Sequence, residues 1–356
     1  MSEATIKKRR PVKRWIILAL FAVGIYAAFI GPSILKPISP VVVVPPEETG
    51  LSILGFPITN TILATLITDV LLILLALGAY RFSKRGSLVP SGFYNAFETI
   101  VEFLWNSVEG TVGKYAKRVF PVVATIFLLV FVANMVKLVP GFESIGRLQE
   151  VHKGTGYAPV QLFQLGSLGV FTIDKGHPVA HAAAEGEAHS EGEEVAHGEE
   201  GAAELCQSCE VVPFLRGSAT DLNFPLALAI IAVFMSQVYG VWALGPSYFE
   251  KFFQFKQLVS GGIFGLINFA VGFLELFLEL AKILSFSFRL FGNIFAGALL
   301  LSILGALTAV ALPAGLYLFE IFFGAIQAYV FFLLATVFAS MAMVSHHGDE
   351  HGSDHH

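Results

Sequence analysis

Charge is scarce in this chain. Asp, Glu, Lys and Arg make up 14% of its 356 residues, against about 25% in a soluble globule. Hydrophobic residues reach 55%, Phe alone counts 34, and the mean hydropathy is +0.72. Several apolar runs exceed the roughly 20 residues that cross a bilayer. These features exclude a water-soluble enzyme, a nucleic-acid binder and a disordered scaffold as readings of the whole chain. What is left is an all-α polytopic membrane protein, with about five to six membrane helices and one amphipathic surface helix. Cysteine is nearly absent too: Cys206 and Cys209 are too few for a disulfide framework. Their Cys-x-x-Cys spacing in an outer loop reads as a small disulfide rather than a redox site.

Basic residues are missing from Gly176 to Leu215, a stretch that holds nine Glu. Setting those aside leaves 18 acids against 22 bases, so the rest of the chain is mildly basic. The acidic stretch is therefore a separate polar insert. Its Ala, Gly, Glu and His cannot build a core, which predicts a disordered or loosely ordered segment.

Six domains or segments follow from the pattern. Residues 1–36 hold a basic N-terminus (Lys7 to Arg14) and an apolar run from Trp15 to Ile30. This fits either a retained anchor or a signal peptide, and no clear small-residue cleavage site follows. Residues 37–57 form an extended, Pro-rich outer-face linker. Within 58–139 a first core helix, Ile58 to Tyr80, ends at Arg81, Lys84 and Arg85, placing that end inside. Ser91 to Arg118 spaces Phe93, Phe97, Val101, Leu104 and Val108 as one face of an amphipathic helix on the inner surface. Val119 to Val139 then crosses outward. Residues 140–219 are an outer-face loop containing the acidic insert. Residues 220–345 hold Leu222 to Leu244 and two long apolar stretches, and 346–356 is a His-rich cytoplasmic tail.

The long stretches, Gly261 to Leu304 and Pro313 to Val344, outlast a perpendicular crossing. The first would span about 66 Å as one helix, roughly twice a hydrocarbon core of about 30 Å. Both must tilt, kink or run along the membrane. A long oblique pair of helices implies a curved partner.

On the first of these helices, Glu275, Glu279, Lys282, Arg289 and Asn293 share a stripe roughly 80° wide at about 100° per residue. Gly297 lies on the same stripe, where a missing side chain lets another helix approach. The opposite face is Leu, Ile, Phe and Ala, suited to lipid. Arg289 sits mid-span among Phe286, Phe288, Leu290 and Phe291. Its burial in a bilayer costs at least about 2.5–3.5 kcal/mol, and guanidinium does not escape by losing its proton. It needs a carboxylate or a water-filled cavity; an acid of the same chain is the structural alternative. Glu320 and Gln327 lie on one face of the last helix. Glu275 toward the inner side and Glu320 toward the outer side of a central Arg read as two proton half-pathways that do not meet. Glu279 and Lys282 read equally well as interfacial residues.

The segment Ser285-Phe-Ser-Phe-Arg-Leu-Phe-Gly-Asn-Ile-Phe-Ala-Gly297 strongly resembles subunit a of F-type ATP synthases. Gln327-Ala-Tyr-Val-Phe is similar to that family's second motif, Asn134 to Pro140 to its Asn-x-x-x-Leu-x-Pro helix end, and Thr220-Asp-Leu-Asn223 to the start of another helix. The resemblance covers roughly residues 50–145 and 215–345. It implies a proton-conducting stator, not an enzyme on its own, that holds two offset half-channels against a rotating ring of c subunits. It implies no cofactor and no metal. The partners implied are the c ring, the b-subunit peripheral stalk, the remaining synthase subunits and the bilayer. Arg289 matches the essential arginine. Asn293, Gln327, Glu275, Ser285 and Asn134 match polar positions along the pathways, and Glu320 falls at an outer half-channel position. The sequence departs from the family at Ala298, where an acid or His is usual, and at Lys137; Asp69 is a candidate substitute. With no mitochondrial or plant targeting features, a bacterial plasma membrane with a cytoplasmic C-terminus is expected.

A secondary transporter or channel is the alternative, but it predicts internal repeats and interrupted helices, and neither is found. A haem-bearing membrane anchor would want His pairs inside spans, whereas all ten His lie outside them. Their irregular spacing in the insert and tail predicts no metal centre. No Walker A loop occurs, so ATP chemistry belongs to other chains. Proton against sodium is decided largely around the ring carboxylate, on another chain.

Overall fold

The computed structural model describes residues 15, 18, 19, 22, 23, 26, 46–53, 55–84, 92–139, 141–143, 145–151, 155–165, 168–180, 206, 208–252, 262–307 and 311–344. The basic N-terminus, most of the linker, the His189 and His197 region of the insert, and the His-rich tail lie outside these residues. Those described from the Trp15–Ile30 run are helical. The chain divides into two compact units.

The larger unit comprises Val44–Val139, Arg216–Ala296 and Ile321–His356. A hairpin of β1 (Glu48–Ile53) and β2 (Phe56–Thr59) turns at Gly55, whose φ of 84° favours glycine. It leads into α1 (Asn60–Ser83), where the Thr59 side chain accepts from the Ile62 N–H. Small and hydroxyl residues of α1, Thr61, Ala64 and Thr68, are buried, while Val70, Ile73, Leu74 and Leu77 face outward. Close packing through small residues with large apolar ones outside is the pattern of a helix in lipid.

Helix α2 (Phe93–Val112) buries Leu104, Val108 and Val112 at four-residue spacing and exposes Glu98, Glu102 and Glu109. The expected amphipathic helix is there, but it stops short of Arg118. Gly113, at φ 61°, ends it, a short 3-10 turn follows, and α3 (Ala116–Val136) begins ahead of the expected Val119. A left-handed glycine sets this corner. Helix α4 (Asn223–Leu244) likewise ends at Gly245, φ 66°.

Helices α5 (Gly262–Leu307) and α6 (Ala311–Met343) are the two long C-terminal helices. With 46 residues, α5 is about 69 Å long at roughly 1.5 Å per residue. The core of the larger unit gathers Val119, Val123, Phe127 and Val130 of α3, Leu228 and Ala232 of α4, Phe286, Leu290 and Ile294 of α5, and Phe331, Phe332 and Ala335 of α6. Segments Asn60–Phe82, Phe93–Val136, Asn223–Phe249 and Ala314–Met343 are long and apolar enough to cross a membrane. The protein is a mostly helical, multi-pass membrane protein.

The second unit comprises Met1–Val43, Pro140–Leu215 and Gly297–Glu320. It contains a four-stranded antiparallel sheet in the order β3 (Gly146–Glu150), β6 (Cys209–Pro213), β4 (Thr155–Leu165), β5 (Leu168–Ala180). This corrects the expectation of a loosely ordered Gly176–Leu215, since β5 enters that stretch and β6 lies within it. Composition argued for disorder from the Glu, Gly and His residues. The flanking segments instead carry short alternations such as Phe171-Thr172-Ile173-Asp174, and β4 and β5 pair in register down to Leu165 with Leu168. Cys209 is buried with Tyr157 and Ile173 and forms a disulfide with Cys206, as the spacing predicts.

Candidate functional site

Helix α5 presents its faces differently along its length. Phe286, Leu290 and Ile294, at four-residue spacing, are buried in the core. The adjacent row, Ser285, Arg289 and Asn293, is exposed. Beside that row the exposed surface is formed by Gly292 and Ala296, and a Cβ built on Gly292 would meet nothing within 4 Å. Arg289 therefore projects from a strip of small residues. Among the described residues it has no hydrogen-bond or ion-pair partner, so the reading of an Arg paired with an acid of its own chain gains no support. The lipid-suited face opposite is exposed as expected, through Phe273, Phe277, Leu280, Leu284 and Phe288.

Two contacts tie α6 to its neighbours in the larger unit. Asn293 Nδ2 donates to Gln327 Oε1 at 2.6 Å. Gln327 is 2% exposed, and its own Nε2 is buried without a hydrogen-bond partner among the described residues. Asn134, buried near the end of α3, donates Nδ2 to the Gly324 carbonyl at 3.2 Å. Space is tight there, because a Cβ on Gly324 would lie 3.1 Å from Asn134 Cβ and 3.3 Å from Met135 Cε.

The inner part of the predicted stripe turns inward instead. Glu279 is buried and accepts from Lys282 Nζ at 2.7 Å and from Gln237 Nε2 at 2.9 Å. The hydroxyl of Tyr248, itself buried, donates to Gln237 Oε1. Glu279 and Lys282 thus belong to a packed polar network between α4 and α5, and a reading of them as plain interfacial residues does not describe that. Glu275, one turn earlier, is half-buried. The expected single stripe is in fact an internal network at one end and an outward row at the other.

In the second unit, Gly297 of α5 meets Glu320 of α6: a Cβ on Gly297 would lie 3.5 Å from Glu320 Oε1. The close approach expected at this glycine is present, and the residue it admits is an acid. Ser285 is exposed, on the outward row rather than among the amide pairs. Lys137 is buried at the end of α3 and Asp69 is half-buried on α1.

Sequence reasoning missed one polar cluster and two network members. Asp221, 6% exposed, accepts from Thr61 Oγ1 at 3.2 Å, from the Asn223 N–H at 3.1 Å and from Asn223 Nδ2 at 3.3 Å. A cleft of about 200 Å³ lies here, lined by Thr61, Thr65, Asp221 and Asn223 with Ile62, Leu66 and Phe224. Asp221 was legible only as part of a helix start, and nothing local marks Thr61. Gln237 was findable: it is a polar side chain inside an apolar span, which is rare enough to single out. Tyr248 was not.

Residues 62–340 match the family described as ATP synthase A chain. The chain is 26% identical over 296 residues to the sodium-ion-specific ATP synthase subunit a of Propionigenium modestum, covering 82% of this chain and 76% of that one. It is 25% identical over 283 residues to ATP synthase subunit a of Helicobacter pylori (strain Shi470), covering 79% and 88%. It is 27% identical over 293 residues to that of Mycobacterium bovis, covering 80% and 87%. With the family match running through both the Arg289 helix and the Gln327 helix, this chain belongs to the ATP synthase A chain family.

Proposed function

We propose that this chain is the ion-conducting stator of a rotary ATP synthase, and that Arg289 faces a carboxylate on a ring of c subunits. The observation that carries this is the exposed Arg289, with no partner among the described residues, on a strip of small side chains. A permanent charge at mid-membrane demands a counter-charge, and the small residues around it allow a helix of another chain to come close. A fixed cation within about 4–6 Å of a carboxylate lowers its pKa and favours its ionised form. Each passing ring carboxylate then gives up its proton opposite Arg289. The same positive charge opposes a proton moving straight across, so the ion enters and leaves by separate routes.

Glu320 with Gly297 forms the outer route, and Glu275 lies on the inner one. Asn293, Gln327 and Asn134 hold α5, α6 and α3 in register beside the arginine, and Ser285 lies on the face met by the ring. The transmembrane potential supplies about 2.3 kcal/mol per charge per 100 mV, so one proton cannot drive ATP synthesis. Rotation sums several crossings. A b-subunit stalk keeps this chain from turning with the ring, and the chain resides in a bacterial plasma membrane with its C-terminus in the cytoplasm.

The test is ATP-driven proton pumping in membrane vesicles carrying the whole complex, comparing wild type with Arg289→Ala. Loss of pumping and of ATP synthesis in an assembled complex is expected. Normal pumping by that assembled variant would make Arg289 structural and remove the half-channel mechanism.

A further inference from the structure

Lys114, Lys117 and Arg118 lie at the corner between α2 and α3, and all are exposed. Lys114 Nζ sits 5.0 Å from the centroid of the Tyr115 ring, and the Arg118 guanidinium carbon sits 3.7 Å from that of Trp242. The Tyr115 and Trp242 rings themselves meet edge to face, with centroids 5.2 Å apart. Tyr239, one turn earlier on α4, donates its hydroxyl to the Arg118 carbonyl at 3.3 Å and fixes α4 to this corner. None of the three cations has an ion-pair partner among the described residues. Glu109, the acid that precedes them, accepts instead from the Trp105 indole N–H at 2.9 Å.

A guanidinium whose carbon lies 3.7 Å over an indole makes its contact through its face, and its N–H donors have no partner among the described residues. Those donors are the fork which receives phosphate oxygens in pairs. Two lysines beside it add point charges that suit the same anion. Mixed cations and amphipathic rings are also what a bilayer interface selects. From Trp242 an exposed row of Val238, Phe234 and Ile230 runs back along α4 at four-residue spacing. It offers an acyl chain an apolar track that begins at the cationic platform, which a soluble phosphate would have no use for.

We infer that Lys114, Lys117, Arg118 and Trp242 form a binding site for an anionic phospholipid, its headgroup phosphate on the cations and one acyl chain along Ile230, Phe234 and Val238. The site rests only on the chain's lying in a membrane, not on the ion path proposed above. Its occupant pins the corner where the amphipathic α2 gives way to the apolar α3.

Native mass spectrometry of the purified full-length chain in detergent tests this with three probes: phosphatidylglycerol, phosphatidylcholine and glycerol phosphate. Phosphatidylglycerol should be retained about tenfold more tightly than the other two, and Lys114→Gln/Lys117→Gln/Arg118→Gln should lose that margin. Arg118→Lys keeps the charge and the fold but not the fork, and should give an intermediate loss. Equal retention of phosphatidylcholine would overturn the proposal. So would glycerol phosphate binding as tightly as the lipid, which would mark a soluble-phosphate site. Undiminished phosphatidylglycerol binding by Arg118→Lys or by the folded triple variant would overturn it as well.

Discussion

Asn293 on α5 gives its amide hydrogen to Gln327 Oε1 on α6 at 2.6 Å, and the buried Gln327 Nε2 finds no acceptor among the described residues. One amide is exposed and the other buried, so the pair runs from the outward row into the core. Asn293→Leu would leave both ends of the Gln327 amide unpaired, at a cost of about 1–3 kcal/mol. Adding Gln327→Leu removes the orphaned groups, so the double variant should be more stable than Asn293→Leu alone. Thermal unfolding of the assembled complex over the four-member cycle measures the coupling. Additive losses would show that the two amides act independently.

Gly292 gives a way to separate fold from docking. Its missing side chain faces open space within this chain. Gly292→Leu should therefore leave the subunit folded, and gain slightly in helix propensity, about 0.8–1 kcal/mol. Beside Arg289 the added bulk should still keep another helix away, abolishing proton pumping in vesicles. A Gly292→Leu complex that assembles and pumps at the wild-type rate would place the ring contact elsewhere.

Gly324 should behave in the opposite way. A Cβ there falls 3.1 Å from Asn134 Cβ, so Gly324→Val forces α6 off α3 at a cost of about 1–3 kcal/mol or more. The expected result is a lower yield of folded subunit from detergent extracts, with Gly324→Ala much milder. Equal yields of the two variants would mean the helices reseat freely.

The Glu279 network predicts a rescue. Glu279→Leu strands Lys282 and Gln237 beside a site with no acceptor, costing about 1–3 kcal/mol. Adding Lys282→Met removes the unpaired cation and should restore part of the loss, because removing both partners of a part-buried pair costs less than removing one. Protease resistance of the subunit in membranes reads this out. Failure of the second change to help would mean that the Gln237 bond dominates.

The helices were legible because their apolar runs are long and their ends are punctuated. Ile58–Tyr80, Leu222–Leu244 and the two C-terminal stretches match α1, α4, α5 and α6 closely. Arg289 stood out because a permanent charge among phenylalanines needs a counter-charge or water in lipid. The sheet was not read, because strands signal by alternation over a few residues and those of β4 and β5 sit beside a composition that argues for disorder. The split of the α5 stripe was hidden for another reason. Helical spacing shows which residues share a face, but which part of that face meets its own chain depends on Gln237 and Tyr248, on other elements. The partners of Asp221 were illegible likewise, with Thr61 far away in sequence.

Behind Arg289 the rings of Phe286 and Phe331 meet with centroids 4.5 Å apart, and Phe338 lies 5.1 Å from Phe286. A charge that attracts a moving partner is itself pulled by it with equal force. Aliphatic chains in that position would shift between rotamers under such a load, whereas flat rings wedged between two helices have few other places to go. On the proposed reading, in which Arg289 draws a carboxylate of a rotating ring, the aromatic wedge makes this part of the chain an anvil that passes the reaction at the guanidinium from α5 into α6.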